Sequence, residues 1–377
     1  MNEFKICTNC VMDTTDPDIS FDKNGICDHC KNYYNNILPY WNTGEVGNLE
    51  LRKIIAKIKK EGQGKDFDCI MGMSGGADSS YMLHIVVKEF GLRPLVFHVD
   101  GGWNSELAVK NIEVIVEKLG LDLYTEVINW EEMKAFQLAY FRSNLPYIDI
   151  PQDHAFVATL YKFAEKYKIK YILNGFNYST ECIINPFEWR YYGTDLAQIR
   201  DIIKQFCQID LKTYPFSSVL YHKFYLRYFK GIKVIKPLNF VPYKKEIAMD
   251  FLKKEYGWQP YPQKHFESRF TKFYEGFWLP QKFGYDTRKV QYSSLILTGQ
   301  MTREEAIEKL KLPAIDKTEL ERDFEYIANK LGISIEELNN FLNQPNKTFR
   351  DYKNQVWLFN FGAYIMNKLG IDRLKRS

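Results

Sequence analysis

A glycine loop is the first feature of this 377-residue chain whose residue types and spacing can do chemistry. The loop reads SGGADSS at residues 74–80. Its two glycines let backbone N–H groups approach a ligand, and a helix that begins after the loop adds partial positive charge. The pattern favours an anion such as a phosphate, although a plain helix N-cap after a tight turn is the alternative. The candidate contacts are Ser74, Gly75, Gly76, Asp78 and Ser79.

A cysteine quartet near the start of the chain is the second such feature. Cys7, Cys10, Cys27 and Cys30 form the pattern C-x2-C-x16-C-x2-C. Two Cys-x-x-Cys pairs supply the four thiolates of a tetrahedral zinc site, and metal binding would provide folding energy that so short a segment lacks. We expect a structural Zn²⁺ site, because no position remains open for a substrate. An iron–sulfur centre and two disulfides are the alternatives.

The loop lies between a predicted strand at 68–73 and a predicted helix, so it needs a fold that positions it. It is neither a Walker A loop nor a GxGxxG fingerprint. It resembles the SGGxDS motif of the ATP pyrophosphatase (PP-loop) superfamily. The resemblance implies that the loop holds the pyrophosphate end of ATP while a substrate oxygen attacks the α-phosphate. Ser74 and Asp78 are the catalytic candidates within the loop.

Two later segments fit the same superfamily. The predicted strand 93–100 ends in FHVDGGW, which places His98 on the adenine side of a crevice. The segment YILNGFNYSTE resembles one that follows a central strand in NAD synthetase-like members, with Gly175 at the strand end. By that resemblance Asp78 and Glu181 are Mg²⁺ ligands, a role that suits carboxylates beside phosphates. A solvated carboxylate at a helix start is the alternative for Glu181.

Alternating strands and helices predict the architecture. Strands spaced by helices indicate βαβ units and a parallel sheet, and after about Pro242 helical patterns dominate. We therefore predict an α/β fold with an adenine nucleotide alpha hydrolase-like (PP-loop) domain at 46–250, a zinc ribbon at 1–45 and a mainly helical substrate or partner region at 251–377. The predicted strands are 68–73, 93–100, 121–128, 169–175 and 232–238. The predicted helices are 49–60, 78–91, 104–120, 153–168 and 195–230.

The segment 264–310 carries a resemblance to a narrower family. Its pattern ESRFTKF…LPQKFGYD…GQMTREEA, together with the cysteine segment at the front, resembles the N-acetyl sugar amidotransferases over essentially the whole chain. These enzymes make acetamidino sugars for pseudaminic acid, legionaminic acid or O-antigens. The resemblance implies an O-adenylyl imidate formed with ATP, an N-acetylated sugar as substrate, and ammonia from a separate glutaminase. That partner would be similar to the glutaminase subunit of imidazole glycerol phosphate synthase.

The same block mixes cations with aromatic residues. Basic residues such as Arg269, Lys272 and Arg303 alternate with Phe and Trp, which suits a sugar ring carrying a phosphate or carboxylate. Arg269 is the catalytic candidate here, because its planar guanidinium can hold such a group with two hydrogen bonds. An amphipathic helix pair with aromatics inside and cations outside is the alternative.

Composition and cysteine spacing restrict the classes of function and partner that remain. The net charge of +4 is mild and the charges are interleaved, so nucleic acid is an unlikely partner. The runner-up function is a tRNA thiolase with a zinc ribbon, but the remaining Cys69, Cys182 and Cys207 form no CxxC for a catalytic cluster. No apolar run approaches the roughly 20 residues of a membrane helix. With no signal-like apolar segment, we expect a cytoplasmic protein that does not contact membranes.

Overall fold

The structure is a computed structural model that describes residues 3–368. Residues 1 and 2 of the predicted ribbon and 369–377 of the predicted helical region lie outside the described residues. The N-terminal segment forms two small turns closed by the backbone bridges Ile6–Asp13 and Phe21–Cys27. A short helix, α1 (Asp28–Asn32), follows the second bridge.

Five parallel strands form one sheet within the described part of the chain. Its order is β3-β2-β1-β4-β5. The chain therefore adds strands first on one side of β1 and then on the other, and such a switch point leaves a crevice at the strand ends. Every predicted strand is confirmed, with shorter ends. Their bounds are β1 Cys69–Gly72, β2 Pro94–Asp100, β3 Leu123–Val127, β4 Tyr171–Leu173 and β5 Lys233–Ile235.

Helices cover both faces of the sheet because successive strand residues point to opposite sides. Cys69 and Met71 of β1 pack with one set of helices, and Ile70 packs with the other. The first set is α2 Glu45–Gly62, α3 Ala77–His84, α4 Glu106–Leu119 and α9 Lys245–Tyr256. The second set is α5 Trp130–Ser143, α6 Ile150–Lys166 and α8 Leu196–Phe206. A single turn, α7 (Tyr178–Glu181), follows β4.

The predicted helix at 195–230 is wrong, because the structure breaks it in two. α8 ends at Phe206, and a wider π-type helix begins only at Leu220. The buried carboxylate of Glu132 accepts hydrogen bonds from the backbone N–H groups of Lys212, Thr213 and Tyr214 at 2.6–3.0 Å, and these bonds hold the intervening loop. That side chain lies on α5, a helix for which we made no prediction.

The region after α9 is helical, as predicted. A turn of π-type helix, Tyr274–Trp278, lies between its first two helices. None of the helices formed by residues 3–368 combines the length and apolar character that crossing a bilayer requires. The helices are α10 Arg269–Phe273, α11 Leu279–Phe283, α12 Thr287–Leu297, α13 Arg303–Lys311, α14 Lys317–Leu331, α15 Ile335–Asn343 and α16 Val356–Lys368.

Candidate active site

A cavity of about 490 Å³ lies at the carboxyl ends of β1, β2 and β4, where the strand order reverses. We call it the main cavity. The glycine loop forms one wall, and the segment from Trp258 to Glu275 forms the opposite wall. Two backbone hydrogen bonds tie that segment to the chain after β2: Ser105 N–H donates to Glu267 O, and Arg269 N–H donates to Trp103 O. The sheet and the C-terminal region therefore build one site together.

The glycine loop is held open toward this cavity. Gly75 has φ +81°, and a Cβ there would lie 2.8 Å from the Ala108 carbonyl oxygen, so only glycine fits without a shift. The indole N–H of Trp258 donates to Gly75 O at 2.8 Å. Ser74 Oγ lies 3.2 Å from Ser79 Oγ, which places both hydroxyls on the cavity side of the turn into α3.

A carboxylate already rests against this loop. A Cβ on Gly76 would lie 2.0 Å from Glu267 Oε1, so the Glu267 carboxyl occupies the space that a side chain would fill. Burial raises the pKa of Glu267 above its ordinary value. An oxygen of Glu267 therefore lies beside a loop at a helix N-terminus, a place that favours anions, and a phosphate bound there would have to displace it.

Asp78 and Glu181 converge on one cation, but the cation is a lysine. Lys264 Nζ lies 2.8 Å from Glu181 Oε1 and 3.4 Å from Asp78 Oδ2, while the Tyr243 hydroxyl donates to Asp78 Oδ1 at 2.5 Å. Burial alone would raise the pKa of Asp78, but Lys264, Lys245 and the tyrosine hydroxyl hold it below its ordinary value. The carboxylates are chemically suited to Mg²⁺, yet Lys264 fills their meeting point, so magnesium binding stays a prediction.

Two lysines of this wall were not predicted from the sequence. Lys264 keeps a raised pKa: burial opposes its charge, but Glu181 and Asp78 outweigh the burial. Lys245 begins α9 and lines the main cavity, and burial lowers its pKa despite the nearby Asp78. The helix dipole disfavours a lysine at the first position of a helix. This unfavourable placement is the feature of the sequence that could have indicated a role for Lys245. Both can offset phosphate charge.

His98 and Gly175 line the main cavity, as expected from their strand ends. His98 Nδ1–H donates to the Met73 carbonyl at 2.7 Å, and its Nε2 accepts from Asn104 at 2.9 Å. A Cβ on Gly175 would lie 3.4 Å from the Ser79 backbone nitrogen, so glycine lets the end of β4 approach the start of α3 closely. The nucleotide-contact roles of both residues remain predictions.

The far end of the main cavity carries a separate polar group that was not predicted. Asp149 accepts from Thr271 Oγ1 at 2.7 Å and from Gln152 Nε2 at 2.5 Å, and burial followed by the nearby Asp153 raises its pKa well above the ordinary value. Asp153 pairs with both Tyr147 and Arg190. Carboxyl, hydroxyl and guanidinium groups around one space suit a ligand rich in hydroxyl groups.

Arg269 does not reach the main cavity. Its Nε donates to Asp323 Oδ1 at 2.7 Å, and its guanidinium lies 3.6 Å from the centre of the Tyr326 ring. The neighbouring Ser268 and Thr271 line the cavity instead. The planar guanidinium is thus bonded within the C-terminal region. Within residues 3–368, no contact is found between the Arg269 side chain and the other candidate residues.

The other cations of that block also have structural partners, which favours the amphipathic alternative. Lys272 pairs with Glu319 and Asp323, Lys289 pairs with Asp13, and Arg288 pairs with Asp286. The aromatic residues Phe270, Phe273 and Trp278 are buried in the core. These cations neutralise carboxylates or donate to carbonyl groups inside the protein, and a contact between this block and a sugar stays a prediction.

The four ribbon cysteines meet in space. Their Sγ atoms all lie within 4.8 Å of one another, with 3.8 Å between Cys7 and Cys30 and 3.7 Å between Cys10 and Cys27. A tetrahedron with Zn–S bonds of about 2.3 Å has edges of about 3.8 Å, so the cluster fits one zinc ion. Disulfides need a sulfur separation of about 2.05 Å and do not fit these positions. This is the one group of three or more potential metal ligands found within residues 3–368.

The cysteine cluster is attached to the C-terminal region by α12 and α13. Arg303 donates from Nε and Nη2 to the carbonyl oxygens of Cys7 and Cys10 at 2.9–3.2 Å. Val11 N–H donates to Ser293 Oγ at 3.1 Å. The first pair of cysteines is therefore positioned by residues that are distant in sequence, and all four cysteines are buried.

Replacing Arg303 by alanine is expected to lower the free energy of unfolding by about 2–3 kcal/mol, because charge-assisted hydrogen bonds to two carbonyl groups are lost. Denaturant titration of the zinc-loaded protein measures this change. Arg322→Ala removes an exposed arginine from α14 and is the matched control, with an expected change of no more than about 0.5 kcal/mol. Equal stability of the two variants would contradict an anchoring role for Arg303.

Two segments of the chain match known families. Residues 267–372 match the C-terminal domain described as LPS biosynthesis protein WbpG-like. Residues 68–175 match the phosphoadenosine phosphosulfate reductase domain. The second segment begins just before the glycine loop and ends at Gly175, so it contains the loop and the sheet edge that carries it. The first segment supplies the cavity wall from Glu267 to Glu275.

The chain is also similar to one curated protein and to several solved structures. It is 30% identical over 141 residues to the uncharacterized protein MJ1599 of Methanocaldococcus jannaschii, a match covering 37% of this chain and 48% of that protein. The chain thus spans about half the length of the curated relative it matches. This match gives no information about the activity of the chain.

Among solved structures, NMN synthetase from Francisella tularensis aligns at 15% identity, with 79% of this chain and 97% of that chain covered and a TM-score of 0.31. The U34-tRNA thiolase NcsA from Methanococcus maripaludis aligns at 14% identity, covering 74% and 88%, with a TM-score of 0.33. Similarity at these scores carries no inference about activity. The loop, the sheet order and the matched segment together support a PP-loop nucleotide domain, joined to a four-cysteine cluster of zinc-ribbon type and a helical C-terminal region.

Proposed function

We propose that the protein is an ATP-dependent amidotransferase that converts the N-acetyl group of a sugar into an acetamidino group. The observation that carries the proposal is the composition of the main cavity. Its phosphate-binding wall is the PP-loop, and its opposite wall belongs to the segment that matches a lipopolysaccharide-biosynthesis domain. A PP-loop domain supports ATP use, and a polysaccharide-related domain favours a sugar as the second substrate. Nonulosonic acids of flagella and O-antigen intermediates are the candidate sugars.

An acetamide is a poor electrophile, so its oxygen must first become a leaving group. In the proposed first step the acetamido oxygen bonds to the α-phosphorus of ATP, and pyrophosphate leaves with the electron pair of the broken P–O bond. This step gives an O-adenylyl imidate, from which AMP leaves in the second step. Bound Mg²⁺ would add charge neutralisation on the pyrophosphate.

The residues of the loop wall have defined tasks in this step. The hydroxyls of Ser74 and Ser79 and the backbone N–H groups of the loop face the departing pyrophosphate. Lys245 and Lys264 also line the main cavity and would offset the charge of the pyrophosphate. For Lys264 to do so, it must exchange its bonds to Asp78 and Glu181 for bonds to phosphate. The chain otherwise contributes mainly by positioning the reactants.

The polar group at the far end of the main cavity is the proposed sugar site. Asp149, Thr271 and Tyr274 present hydroxyl and carboxyl groups that can bond to sugar hydroxyls. Burial and the nearby Asp153 raise the pKa of Asp149 well above its ordinary value. The ring face of Tyr147 and the guanidinium of Arg190 lie 4.7 Å apart in the same place. A hydroxyl-rich ring matches this mixture.

Ammonia is the second nucleophile, and we propose that a separate glutaminase supplies it. None of the described residues that line the main cavity is a cysteine, so the cavity itself offers no thiol for glutamine hydrolysis. Cys69 and Cys182 are buried elsewhere. Ammonium salts should therefore replace the partner in a purified reaction, at concentrations that supply enough unprotonated ammonia.

A product assay tests the proposal. Purified protein is mixed with ATP, Mg²⁺, isotopically labelled ammonium and a panel of N-acetylated sugars, nucleotide sugars and tRNA, and the products are identified by mass spectrometry. We expect AMP and pyrophosphate in equal amounts, together with a sugar whose acetamido oxygen is replaced by labelled nitrogen. AMP formed only with tRNA and a sulfur donor would instead establish the thiolase alternative.

A further inference from the structure

A second cavity of about 440 Å³ adjoins the main cavity and extends toward the ribbon side of the protein. We call it the side cavity. Its outer part is formed by the residues after α7 and by α12, including Ile183, Val290 and Gln291. The residues that line both cavities are Phe176, Glu181, Arg190, Lys264, His265 and Glu275. The shared wall is thus dominated by charged and titratable groups.

His265 has an unusual backbone and a fixed imidazole orientation. Its φ is +68°, a left-handed conformation that non-glycine residues adopt rarely. Nδ1–H faces the two carboxylate oxygens of Glu275 at 3.0 and 3.1 Å. The Glu275 side chain is 7% exposed, whereas that of His265 is 35% exposed, toward the cavities it lines. Among the residues that the structure describes, no hydrogen-bond partner is found for Nε2.

We infer that His265, held in place by Glu275, is the base that removes a proton from ammonia as it adds to the activated acyl carbon. This inference rests on the proposed function and adds a catalytic residue to it. An imidazole whose Nδ1–H is fixed by a carboxylate presents Nε2 as an acceptor, which is the arrangement of a general base. Glu275 acts through His265 and is a positioning residue.

The step balances as follows. The nitrogen lone pair of ammonia forms the new C–N bond, and the C=N electrons of the O-adenylyl imidate return to the sugar nitrogen, which still carries the proton of the original acetamide. His265 Nε2 takes one proton from the added nitrogen. The C–O bond to the adenylyl group then breaks, AMP leaves with that electron pair, and the remaining carbon becomes an amidinium. His265 returns its proton to solvent, so no oxidant or further reactant is required.

The charges around His265 favour this role. Burial would lower its pKa, but Glu275 reverses the effect and leaves the pKa raised above 6.5. Lys264 opposes that shift and Glu267 supports it. The charged residues Arg190 and Glu181 line the same two cavities as His265. Amidine formation should therefore rise with pH through an inflection above the ordinary histidine value, because only the neutral imidazole accepts a proton.

Two half-reactions separate this role from a structural one. ATP–pyrophosphate exchange in the presence of the sugar reports the first step, which needs no base at Nε2. For His265→Gln we expect exchange near the wild-type rate and amidine formation with ammonium lowered at least about 100-fold, with the pH inflection lost. Hydroxylamine, whose nitrogen loses its proton more readily, should restore much of the second step. Glu275→Gln should lower the pH of the inflection. It should also lower the rate of amidine formation, but less than His265→Gln does.

His84→Gln is the matched control. His84, the last residue of α3, forms a hydrogen bond with Tyr256 and lines neither cavity. It should keep both half-reactions. Wild-type exchange with loss of the amidine step only in the His265 variant supports the inference. Equal amidine rates in the His265 variant and the wild type, with an unchanged pH profile, would overturn it. Absence of any sugar-dependent exchange in the wild type would instead reject the proposed function.

Discussion

Replacing Asp78 by alanine is expected to lower sugar-dependent AMP formation at least about 1,000-fold while the protein stays folded. Asp78 lies in the glycine loop and in the first turn of α3, and its carboxylate receives hydrogen bonds from Tyr243 and Lys264. Without it, Lys264 keeps Glu181 and the Thr180 hydroxyl as partners and is drawn away from the loop where the phosphates are expected. A magnesium ligand would be lost in the same substitution. Either route removes charge stabilisation from the departing pyrophosphate.

The measurement is AMP release with ATP, ammonium and the accepted sugar, compared with circular dichroism and the thermal midpoint of each variant. Asp78→Asn keeps the shape and the bond from Tyr243 but removes the charge, so it should also be inactive. Asp250→Ala removes an exposed carboxylate from α9 and should behave as the wild type. Undiminished AMP release by the Asp78 variants would exclude a catalytic role for this carboxylate.

The glycine loop and the sheet were predictable because their signals are local. Residues 74–80 follow a buried apolar strand and precede a helix within a few positions, so backbone geometry and chemistry coincide in one short segment. Parallel strands covered on both faces are apolar throughout, and this is why β1 and β2 were located correctly. The break after α8 was not predicted, because the carboxylate of Glu132 that holds it lies far away in sequence.

The opposite wall of the main cavity was not predictable in the same way. Lys264 lies beside Asp78 only because the segment after α9 folds back over the loop. Composition shows that cations and aromatics share the C-terminal block, but it does not reveal which of them already have partners. Arg269 was chosen for its guanidinium geometry, and Asp323 satisfies that geometry within the protein. Lys264 and His265, from the same block, line the cavity instead.

The four-cysteine cluster and the two cavities pack against the same elements, α7 and α12. Cys182, at the end of α7, packs in the same cluster of buried residues as the ribbon cysteines. α7 also carries Glu181, which bonds to Lys264 in the main cavity. α12 contacts the ribbon through Ser293 and lines the side cavity through Val290. Loss of the ribbon therefore removes packing from one side of both cavities.

Replacing Cys7 by serine is accordingly expected to remove most of the bound zinc and to lower the free energy of unfolding by more than about 4 kcal/mol. Cys7 Sγ is central to the cluster: it lies 3.8 Å from Cys30 Sγ and accepts from the backbone N–H of Cys27 at 3.3 Å. Binding of a structural zinc provides about 10–16 kcal/mol in comparable small sites, and this segment has little core of its own. Soluble yield should fall with the metal content.

Metal analysis of the purified protein measures the zinc per chain and separates zinc from iron, and denaturant titration measures the stability. Cys207→Ser is the matched control, because Cys207 is a half-buried thiol outside the cluster whose Sγ lies 3.3 Å from the Ile209 carbonyl oxygen. It should keep full zinc content. One zinc per chain in the Cys7 variant would argue against the four-thiolate site. Lost zinc with unchanged sugar-dependent AMP release would show that the ribbon supports the fold without supporting the cavities.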